Sequence, residues 1–482
     1  MICFGTKPPG KTGGFVILLY GNGVPSFSKL SGFHRAIPSV SVCIKSPFVM
    51  NYFPPSLRTV VCIGLLFVSP SMDSFAFGNG GPSSEKVSLE RLVYEYLQEH
   101  DAAKADDLNS SILRHPTSSV ENITGIIRQM NQYHSAPVGM QPRQVVEVYG
   151  LDQSYGLFVP PTYRTDKPLP LVICLHGAGF TGDAYLDRWA PRLGDDYILA
   201  CPTLSMGTWW TRLGEDLVLA TIRAVQARYH IDPDRVYLTG MSNGGIGAWI
   251  IGMHHAHRFA GIAPMASGID EVMYPFLENL RQTPLYIIHG AKDHVMPVWL
   301  SRDVTRELAQ LGIAFVYREH EWTHPHAGGH FFPRQELPAL VKWFDQQRRK
   351  PYQIRQTVVR DASHLSEFGW IRIDATDQIA MFSEQLMDKF DDLIKNRVYA
   401  RLDVKIHGKN QIDITTDRVR RYTLFLNENL VDFSRPIVVT TNGERSFEGR
   451  VTPGAETLLR EARRRQDFEM LFPVQLTLDV PR

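Results

Sequence analysis

Cysteine is scarce in this sequence, with five residues in 482. Three of them, Cys3, Cys43 and Cys62, fall early in the chain, and only Cys174 and Cys201 follow. Both later cysteines lie inside apolar runs, so each is predicted to be a small core residue and not half of a disulfide. The fold must therefore rest on ordinary hydrophobic cores, and a chain of this length is expected to form two or three.

An excess of charge of one sign is also missing, because 51 Lys and Arg residues are balanced by 50 Asp and Glu residues. No sustained basic stripe runs along the chain. A neutral chain without such a stripe lacks the electrostatic footprint of a nucleic-acid binder, which excludes nucleic acid as the main partner.

Acidic residues are absent from the start of the chain, where the first one, Asp73, follows six Lys and Arg residues. Residues 50–76 combine one basic residue, the apolar run VVCIGLLFV and a small-x-small end, which is the layout of a secretory signal peptide. The run is short for a membrane span, so no stable span is expected in the mature chain. Residues 1–49 are interpreted as an over-extended start, and the protein is expected to be exported to the periplasm or the medium.

Hydrophobic periodicity divides the rest of the chain into three predicted parts. Residues 77–141 contain a Gly- and Ser-rich linker and two short helices. Residues 142–350 alternate continuous apolar strands with helices, which predicts an α/β fold with a mostly parallel sheet covered on both faces. Residues 351–482 are predicted to form a β-rich, sandwich-like accessory domain, with a hairpin turn at Asn442-Gly443.

A serine between glycines, Ser242, lies in the stretch LTGMSNGGIGAW, between a predicted strand and a predicted helix. This strand–turn–helix context is that of a nucleophile elbow. The residues two positions away must be small so that strand and helix can approach, and Gly240 and Gly244 meet that requirement. The helix N-terminus behind Ser242 favours developing negative charge. Ser242 is thus the candidate nucleophile.

A serine hydroxyl needs a base, and the base needs an orienting carboxylate. Asp293 follows the predicted strand PLYIIHG, at the sheet edge where open α/β folds place their sites. The base is expected in EHEWTHPHAGGHFFP, where His330 is favoured, then His326, then His324. His330 is preferred because the two glycines before it permit a tight loop.

Backbone N–H groups are needed to bind the oxyanion of the tetrahedral intermediate. One is expected from Asn243, the residue after the serine, and the other from Ala178 in the loop HGAG. Trp209 and Trp210 follow another predicted strand. At least one of them is expected to line the substrate pocket and to stack on a sugar or a phenolic ring.

The motifs LHGAG, GMSNGG, HGAKD and GGH occur in this order, and with them the chain resembles the α/β-hydrolase superfamily over about residues 142–350. The stretch YHIDPDRVYLTGMSNGG is similar to secreted esterases that include polyhydroxybutyrate depolymerases, feruloyl and acetyl xylan esterases, and phospholipase/carboxylesterase relatives. The resemblance implies a Ser242–Asp293–His330 triad, an acyl-enzyme, and a small ester or ester-decorated polymer as substrate, without metal or cofactor. The chain departs from the pattern at Asn243, where such elbows often carry Met.

Three alternatives stay open at this point. An α/β-hydrolase peptidase would use the same triad, although no propeller-forming repeats precede the predicted domain. A metal-binding protein would gather His324, His326 and His330 around one ion, which leaves the serine elbow unexplained. A non-catalytic protein would keep the fold without the chemistry, and its β-rich domain would bind carbohydrate or mediate self-association.

Overall fold

The structure, a computed structural model, describes residues 2–4, 15–17, 88–130, 133–363, 367–382 and 391–481. The predicted signal peptide at 50–76 lies outside these residues. Near the start of the chain, two short strands, β1 (Ile2–Phe4) and β2 (Phe15–Ile17), pair antiparallel. Of the helices that are described, none is both long and apolar enough to cross a membrane.

In the described residues, three helices precede the main sheet: α1 (Leu89–Gln98), α2 (Ala102–Arg114) and α3 (Val120–Gln129). Two were predicted, and the difference arises at Asp101, whose side chain accepts a hydrogen bond from the backbone N–H of Lys104 at 2.9 Å. A capping Asp satisfies an N–H group at the start of a helix, so it begins a second helix inside a stretch that was predicted as one.

The main sheet has eight strands: β3 (Gly139–Val148), β4 (Leu151–Val159), β5 (Leu169–Leu175), β6 (Ile198–Pro202), β7 (Ile231–Met241), β8 (Gly261–Met265), β9 (Tyr286–Gly290) and β10 (Val316–His320). Their order is β10-β9-β8-β7-β5-β6-β4-β3, with β3 and β4 antiparallel to their neighbours and the other pairs parallel. The mostly parallel sheet expected of an α/β-hydrolase fold is thereby confirmed.

Helices cover both faces of this sheet: α4 (Gly182–Leu193), α5 (Arg212–Arg228), α6 (Asn243–His254), α7 (Trp299–Gln310) and α8 (Leu337–Gln346). One face packs against α4 and α8, and the other packs against α5, α6 and α7. Successive residues of β5 belong to different faces, which explains its continuous apolar sequence. Cys174 and Cys201 are buried and free, so the prediction that they are core residues is confirmed.

Two further sheets follow, built from β11 (Arg355–Arg360), β12 (Glu367–Phe368), β13 (Ile371–Thr376), β14 (Ala400–His407), β15 (Gln411–Asp417), β16 (Val419–Leu426), β17 (Ile437–Thr441), β18 (Glu444–Gly449) and β19 (Val474–Asp479). Their orders are β11-β14-β15-β17-β18 and β12-β13-β16-β19. The hydroxyls of Tyr422 and Thr441 meet across the two sheets at 2.6 Å. The predicted hairpin turn is confirmed, because Asn442 and Gly443 both have positive φ.

Among the residues described here, two helices accompany these sheets, α9 (Asp392–Lys395) and α10 (Ala455–Arg465). The apolar face of α10 packs against α1, α2 and α3, so that helices from both ends of the described chain share one small core. The guanidinium of Arg463 donates to the carbonyl oxygen of Glu99 at 2.6 Å, which fixes α10 against the end of α1.

A buried arginine joins the main sheet to the later part of the chain. Arg349 lies between α8 and β11, and its side chain is 5% exposed. Its guanidinium contacts Asp234 at 2.9 Å and Asp467 at 2.6 Å. The division of the chain between residues 350 and 351 stays a prediction. The ion pair of Arg349 with Asp467 shows that residues before and after that division are in direct contact.

Candidate active site

Ser242 lies on a sharp turn between β7 and α6. Its backbone has φ 60° and ψ −124°, a conformation that a residue with a side chain rarely adopts. A Cβ on Gly240 would lie 2.2 Å from the carbonyl oxygen of Gly244, and one on Gly244 would lie 2.0 Å from that of Leu175. Side chains at these two positions would force the strand and the helix apart, so the glycines are what permits the strained serine.

The side chains of Asp293 and His330 are brought together from two loops. Asp293 follows β9, and His330 lies in the loop after β10, where its Nδ1 donates to Asp293 Oδ2 at 2.7 Å. The two loops approach so closely that a Cβ on Gly329 would lie only 2.7 Å from the backbone nitrogen of Asp293, and a side chain at that position would push them apart. The glycine pair before His330 therefore positions it, which is the role that the sequence suggested for these residues.

The carboxylate of Asp293 is fully buried and well supplied with donors. Its Oδ1 accepts the backbone N–H groups of Val295 and Met296, each at 2.8 Å. Burial alone would raise the pKa of Asp293, but hydrogen bonds from His289, His330 and the Met296 N–H outweigh it and hold that pKa well below its usual range. An ionised carboxylate keeps the proton of His330 on Nδ1 and leaves Nε2 as the basic nitrogen.

His289 is a second histidine beside Asp293, which sequence reasoning missed. It is buried at the end of β9, with Nε2 at 3.4 Å from Asp293 Oδ2 and at 2.7 Å from the carbonyl oxygen of Met296. Its Nδ1 contacts the hydroxyl of Ser301 at 2.7 Å. The sequence feature that could have indicated this contact is a histidine within an apolar strand, four residues before Asp293.

The other two candidate bases are placed differently from His330. His324 and His326 are exposed, and the Nδ1 of His324 accepts the backbone N–H of His326 at 3.2 Å. His324 borders the same cavity as His330, whereas the bond to Asp293 is made by His330. In the described residues, no group of three or more His, Cys, Asp or Glu side chains is placed to hold a metal ion.

The backbone segments expected to bind the oxyanion both border the cavity of Ser242. Asn243 is the first residue of α6, and its side-chain amide donates to the carbonyl oxygen of Met206 at 3.0 Å. Ala178 lies in the loop after β5, which His176 holds from behind. The Nδ1 of His176 contacts the carbonyl oxygen of Gly177 at 2.8 Å, and its Nε2 accepts the N–H of Leu204 at 3.0 Å.

The two tryptophans after β6 lie in packing positions. Trp209 is fully buried, and its indole N–H donates to the carbonyl oxygen of His176 at 2.8 Å. A side chain without exposed surface has no face to offer a substrate, so the expectation that Trp209 lines the pocket is wrong: it lies in the core, against the loop that contains Ala178. Trp210 packs with Ile246, Met296 and other apolar side chains beside the site.

A cavity of about 780 Å³ opens over Ser242 and His330. Its wall is largely apolar and aromatic, and it includes Phe180, Trp189 and Phe332. Two arginines of α4, Arg188 and Arg192, also line it, and sequence reasoning assigned none of these five side chains to the substrate pocket. The helical spacing of the aromatic and basic residues in α4 was visible, but which surface they face depends on the packing of α4 on the sheet.

Comparison with known proteins gives partial alignments with solved structures. No family model and no curated protein matches the chain. Among solved structures, a thermostable esterase aligns at 26% identity over 43% of this chain and 63% of its own length, with a TM-score of 0.37. An S-formylglutathione hydrolase from Agrobacterium tumefaciens aligns at 17% identity over 45% of this chain and 98% of its own (TM-score 0.35), and a Pyrococcus horikoshii acylaminoacyl peptidase at 13% over 44% and 43% (TM-score 0.34). The chain thus spans less than two thirds of the first of these esterases, and each of these alignments covers less than half of this chain.

Proposed function

We propose that the protein is a serine hydrolase that cleaves carboxylic esters through an acyl-enzyme at Ser242. The observation that carries the proposal is the hydrogen bond from His330 to the buried carboxylate of Asp293, with His330 bordering the same cavity as a serine on a strained elbow. A nucleophile, a base and an orienting carboxylate are the three groups that acyl transfer needs.

The reaction follows from the roles of these groups. Ser242 Oγ attacks the ester carbonyl carbon while His330 Nε2 accepts its proton, and the N–H groups of Asn243 and Ala178 bind the oxyanion. When the tetrahedral intermediate collapses, the bond to the alcohol oxygen breaks and His330 returns the proton to that oxygen. Water then repeats the sequence on the acyl-enzyme, which releases the acid and restores Ser242. Asp293 stabilises the imidazolium in both halves of the cycle.

Two further parts of the proposal rest on the sequence. Peptide hydrolysis remains the alternative, because the same groups would act on an amide with an amine as leaving group. Export is proposed from the composition of residues 50–76, and the N-terminal residue of the mature protein, measured by mass spectrometry, tests it: a start near residue 77 is expected, and an intact leader would contradict export.

The test combines turnover with active-site labelling. The purified protein is assayed with p-nitrophenyl acetate and with an acylated amino-acid p-nitroanilide, and a fluorophosphonate probe is mapped by mass spectrometry. Ester turnover and a label on Ser242 are expected, and Ser242→Ala should abolish both. Ser110→Ala, on the exposed surface of α2, is the matched control.

The base is tested in the same way with two histidines of one loop. His330→Gln should lose turnover and labelling, whereas His326→Gln, which replaces an exposed side chain, should retain them. Faster cleavage of the anilide than of the ester would favour the peptidase. A folded wild type that neither turns over an ester nor takes the label would refute the proposal.

A further inference from the structure

Two arginines of α4 lie against the cavity that contains Ser242. Arg188 and Arg192 are one helical turn apart, and Trp189 beside them and Phe180 before α4 line the same cavity. The guanidinium carbon of Arg188 lies 4.3 Å from the centre of the Phe180 ring, and that of Arg192 lies 5.7 Å from the Trp189 ring. This end of the cavity is therefore both aromatic and cationic.

Within the described part of the chain, neither guanidinium has a carboxylate partner within 4 Å. Nη1 of Arg192 donates to the carbonyl oxygen of Arg188, while its Nε is buried without a hydrogen-bond partner. Some other arginines that pack on or near the main sheet are paired with carboxylates, as in Arg302 with Glu319 and Arg318 with Glu336.

This arrangement is unfavourable as it stands. Burial, together with the positive charges of Arg334 and Arg188, lowers the pKa of Arg192. A buried donor without a partner and two cations one turn apart both destabilise the folded protein. An anionic ligand would relieve both, because a guanidinium matches the two oxygens of a carboxylate or a phosphate in a planar, bidentate contact.

We propose that this cavity takes esters that carry an anionic group, a carboxylate or a phosphate, which binds to Arg188 and Arg192 while the ester carbonyl lies at Ser242. The aromatic wall at the same end favours an apolar or aromatic segment next to the anion. The inference rests on the proposed esterase function of Ser242 and adds to it the class of substrate.

The test compares matched esters on the wild-type protein. The p-nitrophenyl ester of pentanoic acid is neutral, the mono-p-nitrophenyl ester of glutaric acid adds a carboxylate, and phenyl butyrate is compared with its 3-carboxy and 3-phosphoryloxy derivatives. At least one anionic ester should exceed its neutral counterpart in kcat/KM by roughly 10- to 100-fold, the usual effect of a charge-assisted hydrogen bond. The preference should weaken as ionic strength rises.

Variants locate the effect. Arg192→Gln and Arg188→Gln should reduce the ratio of kcat/KM between the anionic and neutral esters, mainly through KM for the anionic ester, and Arg192→Lys should restore part of it. Arg306→Gln, which replaces an exposed arginine of α7, is the control and should leave the ratio unchanged.

The outcomes separate the two proposals. Equal kcat/KM for anionic and neutral esters, with Ser242 still labelled by the fluorophosphonate, overturns the anionic class and leaves the esterase intact. A preference that survives both glutamine variants overturns the assignment to these arginines. Absence of turnover with all the esters, together with an unlabelled Ser242, overturns both. The higher kcat/KM of the 3-carboxy and 3-phosphoryloxy esters identifies which anion the arginines bind.

Discussion

Replacing Asp293 by Asn tests the orienting role of the carboxylate with little change in shape. The Oδ1 atom accepts two backbone N–H groups, from Val295 and Met296. Only an oxygen can take that place, so the new amide must turn its NH₂ group towards the position of Oδ2. That position is 2.7 Å from the Nδ1 of His330.

The size of the effect follows from this geometry. Two donors cannot face each other, so His330 must give up the proton on Nδ1 and carry it on Nε2 instead. A protonated Nε2 in the neutral ring cannot accept the proton of Ser242, and the stabilisation of the imidazolium by a carboxylate is lost as well. A wrong tautomer of this kind lowers kcat by about 10,000-fold, or about 5.5 kcal/mol of transition-state stabilisation.

The assay is steady-state turnover of p-nitrophenyl acetate together with the rate of fluorophosphonate labelling, and both should fall in parallel. Urea unfolding shows whether the variant is folded. Asp152→Asn, at an exposed position of β4, is the control and should behave as the wild type. A folded Asp293→Asn protein that keeps more than about a tenth of its activity would show that the carboxylate does not set the tautomer.

Two further predictions concern stability. Arg349→Met should lower the free energy of unfolding in urea by about 3–5 kcal/mol, because it leaves the carboxylate of Asp467 without its cation. Adding Asp467→Asn to the same chain should recover part of this loss. A loss below about 1 kcal/mol for Arg349→Met would contradict the prediction. Burial and the positive charge of Arg258 hold the pKa of His257 well below 6.5. Below about pH 6.5 the unfolded chain therefore binds a proton at His257 that the folded chain does not. The free energy of unfolding should fall as pH drops through this range, by up to about 1.4 kcal/mol per pH unit. His257→Phe should flatten that dependence between pH 7.5 and pH 5, and urea midpoints with the same slope as the wild type would contradict the assignment.

Local patterns carried most of what could be predicted. The apolar strands of the main sheet are continuous because both faces are buried, and the elbow of Ser242 is determined by residues within two positions of it. Two adjacent glycines favoured His330 among the histidines, but which ring reaches Asp293 depends on how another loop packs against it. The contact between His330 and Asp293 requires Gly329 to pass close to the backbone of Asp293.

Features that depend on packing at a distance were out of reach. Trp209 has the sequence position of a pocket residue, yet it is buried because Gly247 leaves room for it: a Cβ there would lie 2.3 Å from the Cβ of Trp209. The missing counter-ions of Arg188 and Arg192 are likewise a tertiary property. A helix sequence shows the charges that it carries but not the absence of partners on the elements around it.

The shared core of α1, α2, α3 and α10 has a consequence for the order in which the protein matures. The first three helices are made early, but the partner for their apolar side chains, which include Val93 and Ile123, is contributed by Leu458 and Leu459 near the other end of the chain. At ribosomal rates of about 5–20 residues per second, these helices wait tens of seconds for α10. The core formed by α1, α2, α3 and α10 is therefore among the last parts of the protein to fold. In a nascent chain that stalls before α10, the apolar side chains of α1, α2 and α3 stay exposed to chaperones and proteases.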